Sequence, residues 1–267
     1  MKNEKSKLKC ELYNDNFQNW KKYPIQKAQL VICDIPYNIG RNFYCSRIEW
    51  NQKLKNGELK NTTAAFSSDY NFNIAEYFHF CNSLLRKEDK NKVQVGRSSN
   101  SPCMIVFCSF EQANDVIEYA KKHGFQHHIP LVFVKNFSAQ VLKANQRIVN
   151  ATEYAIVLYR DKLPKFRNDG KMVFNWFNWV KDDKSVPKIH PTQKPVGVLK
   201  RLIEIFTDEG DIVIDPCAGS GSTLRAAKEC GRNSYGFEIN KDFYKQAQSD
   251  MLCNIKTEKK LDHKKLF

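Results

Sequence analysis

Short apolar runs alternate with amphipathic stretches along this chain. Cys10–Tyr13, Ala28–Cys33, Met104–Cys108, Ile129–Val134, Glu153–Tyr159, Ile212–Ile214 and Asn233–Phe237 are each rich in apolar side chains and read as strands. Between them lie helical patterns. An amphipathic segment follows Asn14-Asp15 and runs through Trp20, and Ile74–Arg86 puts Ile74, Tyr77, Phe78, Cys81 and Leu85 on one face. Glu111–His123, Thr192–Phe206 and Thr223–Cys230 read as further helices, with Pro195 suited to a first turn and Gly231 to a C-terminal stop. Strands separated by helices predict an α/β domain. The stretches 38–70, 87–102 and 160–188 are polar or irregular and interrupt that rhythm.

The pattern is densest from Asp211 to Glu238. The order there is strand, glycine turn at Gly219 and Gly221, helix, strand, carboxylate. Glycines let a backbone approach a ligand, a helix start offers N–H groups, and an acid closing the next strand can accept from both hydroxyls of a ribose. The third glycine of a dinucleotide fingerprint is missing, which favours a smaller nucleoside ligand over a nicotinamide cofactor. A bare Gly-x-Gly also suits an ordinary tight turn, so the chemistry must come from neighbouring motifs.

Two such motifs stand in the chain. Asp34-Ile35-Pro36-Tyr37 ends a strand, where ligands of open α/β sheets bind. Asp34 and the Ile35 carbonyl can each accept one hydrogen of a planar exocyclic amine, Pro36 stiffens the backbone, and Tyr37 can stack on an extruded base. His190-Pro191-Thr192-Gln193-Lys194-Pro195 lies shortly before the glycine turn. Taken together, these stretches resemble the DNA amino-methyltransferases, and in particular the permuted group in which the catalytic tetrapeptide precedes the cofactor glycines. The resemblance implies a circularly permuted Rossmann-like fold, a mostly parallel seven-stranded sheet in which the strand at 8–13 joins the C-terminal strands. It implies S-adenosylmethionine as cofactor, held by Asp15, Thr192, Lys194, Asp215, Pro216, Cys217, Gly219, Ser220, Gly221, Ser222 and Glu238. It implies a catalytic set of Asp34, Ile35, Pro36 and Tyr37. Asp15 would face the adenine, although it also suits a helix N-cap. The amino end of the helix after Lys194 would receive the methionine carboxylate. This chain departs from the family pattern at Ile35, where a second proline is usual, and at Cys217, where phenylalanine is usual. An aspartate opening the tetrapeptide favours adenine N6, since the resembled cytosine-N4 enzymes usually have serine there.

Composition narrows the partner. With 267 residues the chain suits a single domain, and a formal net charge of +14 from 43 basic and 29 acidic residues suits a polyanion, most simply nucleic acid, which the resemblance implies is double-stranded DNA. Aromatics and cations interleave in 38–70, where Arg41, Arg47 and Lys53 would hold phosphates. Residues 161–188 would form a small target-recognition insertion, with Arg167, Lys171, Trp176 and Trp179 at the DNA. The same tryptophans would equally serve a packing surface or a homodimer interface. No run of 18 apolar residues predicts a membrane span, no leader pattern opens the chain, and nine scattered cysteines without a Cys-x-x-Cys pair point to a reducing cytoplasm and to no metal site. Cytosine N4, RNA and free nucleotides remain alternative substrates, and a non-catalytic DNA-binding protein remains an alternative use of the scaffold.

Overall fold

The computed structural model describes residues 8–37, 72–88, 100–136, 150–190 and 192–255, together with the backbone of 141–143 and 148–149. The expected DNA contacts Arg41, Arg47 and Lys53 lie outside the described residues.

Strands β1 (Cys10–Tyr13), β2 (Leu30–Asp34), β3 (Cys103–Cys108), β4 (His127–Lys135), β7 (Thr152–Tyr159), β8 (Trp176–Trp179), β9 (Ile212–Asp215) and β10 (Asn233–Phe237) form one sheet in the order β1-β10-β9-β2-β3-β7-β4-β8. A separate hairpin pairs β5 (Val141–Lys143) with β6 (Ile148–Val149). The helices are α1 (Ile74–Leu84), α2 (Ala113–Lys122), α3 (Val196–Phe206), α4 (Ser222–Glu229) and α5 (Lys241–Gln246). The segment after Asn16 is a 3-10 helix, Phe17–Lys22, with Phe17 buried and the Asn16 side chain accepting from Gln18 N–H.

The strand alternation explains the layers. Val31, Cys33, Met104, Val106, Ile156, Leu158, Ile214 and Tyr235 point to one face and pack on α1, α2 and Phe17. Leu30, Ile32, Ile105, Phe107, Val157 and Val213 point to the other and pack on α3 and α4. Strands covered on both faces read as continuous apolar runs, as these do. No helix among the described residues is long and apolar enough to cross a membrane.

The register decides what meets where. β1, β10, β9, β2 and β3 run parallel, with Tyr13 opposite Phe237, Gly236 opposite Asp215, and Asp34 opposite Phe107. Their carboxyl ends therefore share one edge. β7 runs antiparallel to both β3 and β4, with Tyr154 opposite Cys108 and Thr152 opposite Val134. The first residues of β7 and the last of β4 thus arrive at that same edge.

The expected count of seven strands grows to eight. The addition is β8, which lies inside the segment read as an irregular insertion and extends the sheet beyond β4. Its alternation is short, with Phe177 and Trp179 buried and Trp176 exposed. Four residues among lysines and asparagines give little periodicity to read in a sequence.

Candidate active site

The glycine turn is tied to the end of β10. Ala218 N–H donates to the Phe237 carbonyl at 2.8 Å, and Gly221 N–H closes the turn on the Ala218 carbonyl at 2.8 Å. Gly219 and Gly221 have φ of 50° and 79°, the left-handed region that glycine enters without strain. A Cβ at Gly219 would meet nothing within 4 Å, so the turn presents open space on that side. Ser220 and Ser222 hydroxyls bond each other at 2.8 Å where α4 begins.

Two buried acids frame this turn. Asp215 Oδ1 accepts the Cys217 N–H at 3.0 Å, and burial lifts its carboxyl to about 7, against hydrogen bonds from Thr223 and Cys217 that pull it down. Pro216 and Cys217 continue the chain into the turn. Glu238 Oε2 accepts Gly219 N–H at 2.8 Å and Oε1 accepts Asn240 N–H at 2.6 Å. Burial raises the Glu238 carboxyl as well, and those N–H groups oppose the shift. Each carboxylate oxygen keeps a second lone pair, so Glu238 can both clamp the turn and accept from a ligand. Desolvated carboxylates around an open glycine turn fit a ligand that carries hydroxyls and a positive charge.

Asp15 sits at the end of β1, beside Glu238. Its carboxylate is already engaged, accepting from Asn16 N–H and Asn19 Nδ2 at 2.7 Å each and from Tyr23 OH at 2.8 Å. The neighbouring Asn14 ties the two strand ends through Nδ2 to the Glu238 carbonyl at 2.8 Å. Asp15 therefore orders the loop beside the turn through local bonds.

The tetrapeptide Asp34–Tyr37 leaves β2 at the same edge. Ile35 is buried and donates its N–H to the Phe107 carbonyl at 3.2 Å, while Gln112 Nε2 holds the Pro36 carbonyl at 3.0 Å. Gln112 thus does part of the stiffening that a second proline would do. Asp34 Oδ1 is buried and has no hydrogen-bond partner among the described residues. Its Oδ2 accepts from Lys194 Nζ at 2.5 Å. Tyr37 OH donates to Glu153 Oε2 at 2.9 Å. Glu153 also accepts from Lys135 Nζ and stands 4.0 Å from Lys194 Nζ. Lys194 is 8% exposed and lies 5.4 Å from the Phe107 ring, 5.6 Å from Tyr37 and 5.9 Å from Trp179. Burial raises Asp34 above the ordinary aspartate range, and Lys194 opposes that shift. For Lys194, burial would lower the ammonium, but Asp34 and Glu153 outweigh it and raise it.

In the His190–Pro195 stretch the residues expected at the cofactor already have partners. The amino end of α3, expected to receive a carboxylate ligand, meets a side-chain carboxylate of this chain. Asp182 occupies that end, accepting Val196 N–H at 2.8 and 3.0 Å, because Pro195 at the cap position has no side chain that can do so. Lys194 is paired with Asp34. Thr192 is engaged with His190, its N–H donating to Nδ1 at 3.2 Å and its hydroxyl 3.0 Å from the same nitrogen.

The residues expected at DNA separate. Trp179 packs inside the tetrapeptide's wall, with the Lys135 ammonium 5.1 Å from its ring. Trp176 is exposed on the other face of β8 and stacks on Phe174 at 6.0 Å. Lys171 closes an exposed turn whose Asn168 accepts from Arg201 on α3. Arg167 lies at the opposite edge of the sheet, near the amino end of β9. There its Nε and Nη2 donate to Asp208 at 2.8 and 3.1 Å and Nη2 also reaches Asn100. That pairing places Arg167 away from Asp34, at the end where Lys165 and Arg86 hold Asp211. Glu153, Lys135, Gln112 and Asp182, none of them singled out by motif, belong to the site or its immediate support.

Known proteins share this fold and stretches of this sequence. A DNA adenine methyltransferase of Escherichia coli, YhdJ, is 28% identical over 258 residues, covering 90% of this chain and 81% of the relative. The type II methyltransferase M2.DpnII of Streptococcus pneumoniae is 41% identical over 102 residues, 37% of this chain and 38% of its own. Among solved structures, M1.HpyAVI superposes with a TM-score of 0.61 at 20% identity, covering 90% of this chain and 97% of its own. The cytosine-N4-specific PvuII DNA methyltransferase also reaches 0.61, at 15% identity and with 91% and 86% covered. The family model described as DNA methylase matches residues 28–249, a span that holds the tetrapeptide, the Lys194 stretch, the glycine turn and Glu238, and the chain belongs to that family.

Proposed function

We propose that this protein transfers a methyl group from S-adenosylmethionine to N6 of adenine in double-stranded DNA. The observation that carries the reading is the buried, unpartnered Oδ1 of Asp34, placed at one sheet edge with Tyr37 and the glycine turn. A buried acceptor without a donor is costly, and an amine hydrogen would satisfy it.

S-adenosylmethionine, when bound, supplies an electrophilic methyl group on a cationic sulfur. Glu238 would accept from its ribose hydroxyls, and the turn at Gly219–Gly221 would leave room for it. Asp34 Oδ1 and the Ile35 carbonyl each take one hydrogen of the amine, which directs the nitrogen lone pair out of the base plane. Tyr37, held by Glu153, supports the extruded base. Formation of the nitrogen–methyl bond would be balanced by loss of the sulfur–methyl bond, whose electron pair would stay on sulfur. The nitrogen then sheds one proton, and Asp34 Oδ1 is the acceptor in place to take it. The reaction asks mainly for alignment.

Adenine is favoured by the aspartate at position 34 and by the name of the E. coli relative. Likeness to a cytosine-N4-specific structure at the same TM-score shows that the fold alone does not choose the base. The test incubates the protein and S-adenosylmethionine with duplex DNA, single-stranded DNA and RNA of one sequence, then digests and quantifies the methylated nucleosides. N6-methyladenine from duplex DNA, absent with Asp34→Ala, is expected. N4-methylcytosine, or methylation of RNA only, overturns the assignment.

A further inference from the structure

We infer that Lys194 is a positioning residue of the methyl-transfer site, holding Asp34 as a carboxylate through Oδ2 and leaving Oδ1 to the amine. This rests on the reading of Asp34 as the amine acceptor.

The geometry points to one end of a linear array. Lys135 meets Glu153, Glu153 faces Lys194, and Lys194 meets Asp34, so that two cations and two anions alternate along the edge. Glu153 also receives the Tyr37 hydroxyl, which couples the array to the ring beneath the base. The ammonium lies among Phe107, Tyr37 and Trp179, whose faces favour a cation and exclude water. With Nζ 2.5 Å from Oδ2, the cation approaches one oxygen of Asp34 and leaves the other unpartnered. A charge on the glycine-turn side would serve the cofactor, but here it is turned towards the amine.

The chemistry needs such a partner. A protonated Asp34 would offer a hydroxyl to the amine and could not take its proton. Burial alone pushes Asp34 towards that form. Among the other groups facing Asp34, Glu153, Asp215, Cys108 and Cys217 are acidic or neutral; Tyr37, kept neutral by burial and the nearby acids, opposes the shift only as a hydrogen-bonding hydroxyl and less than Lys194 does. His190, which feels Lys194, is pushed down to about 4 by burial and that ammonium and carries no charge at neutral pH. Lys194 is the cation placed to oppose the shift. Removing it raises Asp34 further, so the acid limb of turnover moves to higher pH.

The test measures kcat against pH, the KM for DNA and the calorimetric Kd for S-adenosylmethionine in Lys194→Met, Lys194→Gln and Lys194→Arg. Met and Gln are expected to move the acid limb up by at least one pH unit and to lower kcat at pH 7 at least tenfold, with partial recovery at pH 9. Arg keeps the limb in place, and cofactor Kd stays within twofold throughout. Gln keeps a donor to Oδ2 and carries the same expectation if Met does not fold. Weaker cofactor binding with kcat preserved at saturation would make Lys194 a cofactor ligand and overturn the inference. An equal loss at every pH would make it merely structural and overturn it too. Asp34→Asn separates the layers. If it keeps normal turnover, the amine-acceptor reading itself fails. If it is inactive while Lys194→Met keeps the wild-type limb, only the inference fails.

Discussion

Glu238 carries two loads, and replacing it should reveal both. Its oxygens accept Gly219 N–H at 2.8 Å and Asn240 N–H at 2.6 Å, and the residue is 9% exposed. Glu238→Ala leaves two backbone donors without their charged acceptor. Each buried unsatisfied donor costs about 1–3 kcal/mol, and entry of water into the vacated space pulls the sum towards its lower end, about 2–3 kcal/mol. Glu238→Gln is the sharper probe. One amide oxygen still accepts, but the NH2 group must face the other N–H, so about 1–3 kcal/mol is lost from one contact. For a chain of this size 1 kcal/mol lowers Tm by roughly 2–4 °C. The cofactor-free Gln variant should therefore melt about 2–12 °C below wild type. Its cofactor Kd should rise further, by about 10-fold or more, because a charge-assisted bond to ribose is lost as well. Differential scanning calorimetry without ligand and titration calorimetry with S-adenosylmethionine separate the two effects. A wild-type Tm together with weak binding would show that Glu238 does not clamp the turn. Wild-type values of both would refute the whole assignment.

Asp215 titrates at about 7 in the fold against an ordinary 3.8, chiefly through burial. The folded state therefore binds the extra proton between those values, and its stabilisation, complete below about 4, is lost as pH rises through 7. Asp215→Asn should flatten the fall in cofactor-free stability between pH 5 and 8, by at most about 1.4 kcal/mol per unit, and parallel urea-denaturation profiles for the two proteins would contradict this. Asp182→Ala should cost about 1–2 kcal/mol through loss of the α3 cap, with Asp182→Asn recovering part of it; an unchanged melting temperature in the Ala variant would show that the cap contributes nothing. Arg167→Ala removes a half-exposed pair with Asp208 and should cost about 1 kcal/mol or less, leaving discrimination between target and mismatched duplexes unchanged; loss of discrimination would return Arg167 to the DNA.

Much of the fold was legible because its signals are local. The runs at Ile212–Ile214 and Asn233–Phe237, with glycines between, mark strand, turn and strand through composition alone, and the observed bounds differ by a residue or less. The face of α1 was equally readable from its helical spacing, since Tyr77, Phe78 and Cys81 are all buried. The short helix α5 escaped because none of its residues is buried, so it has no apolar stripe. In the site, motif residues such as Asp34 and Glu238 were visible because their spacing to glycine or proline has a backbone reason. Gln112 and Asp182 were not. Each acts on a backbone group 76 or 14 residues away, and no local pattern encodes such a meeting.

Glu153 shows what kind of residue stays hidden in a sheet of this design. In a parallel sheet, reading the residues that follow each strand recovers the reactive edge, because every carboxyl end lies there. β7 is reversed, so it delivers its beginning to that edge. Thr152 and Glu153 thus arrive where a reader would look for strand ends. The register fixes this: Tyr154 stands opposite Cys108 on β3, one residue beyond the row that pairs Phe107 with Asp34. A glutamate at the second position of an otherwise apolar strand reads as a solvent-exposed start, yet here it has Lys135, Tyr37 and Lys194 around it. A carboxylate at such a position would be costly if it had nothing to accept from, so a charged residue near the start of a reversed strand beside the tetrapeptide implies cations opposite it. Lys135 ends β4 and is placed there by the same reversal, since β4 pairs with β7 antiparallel and its last residues return to the edge. One topological feature, the reversed strand, therefore brings Glu153 and Lys135 to Asp34, and the motif lysine Lys194 completes the array from the segment that leads into α3, on the face where Phe107 and Trp179 lie.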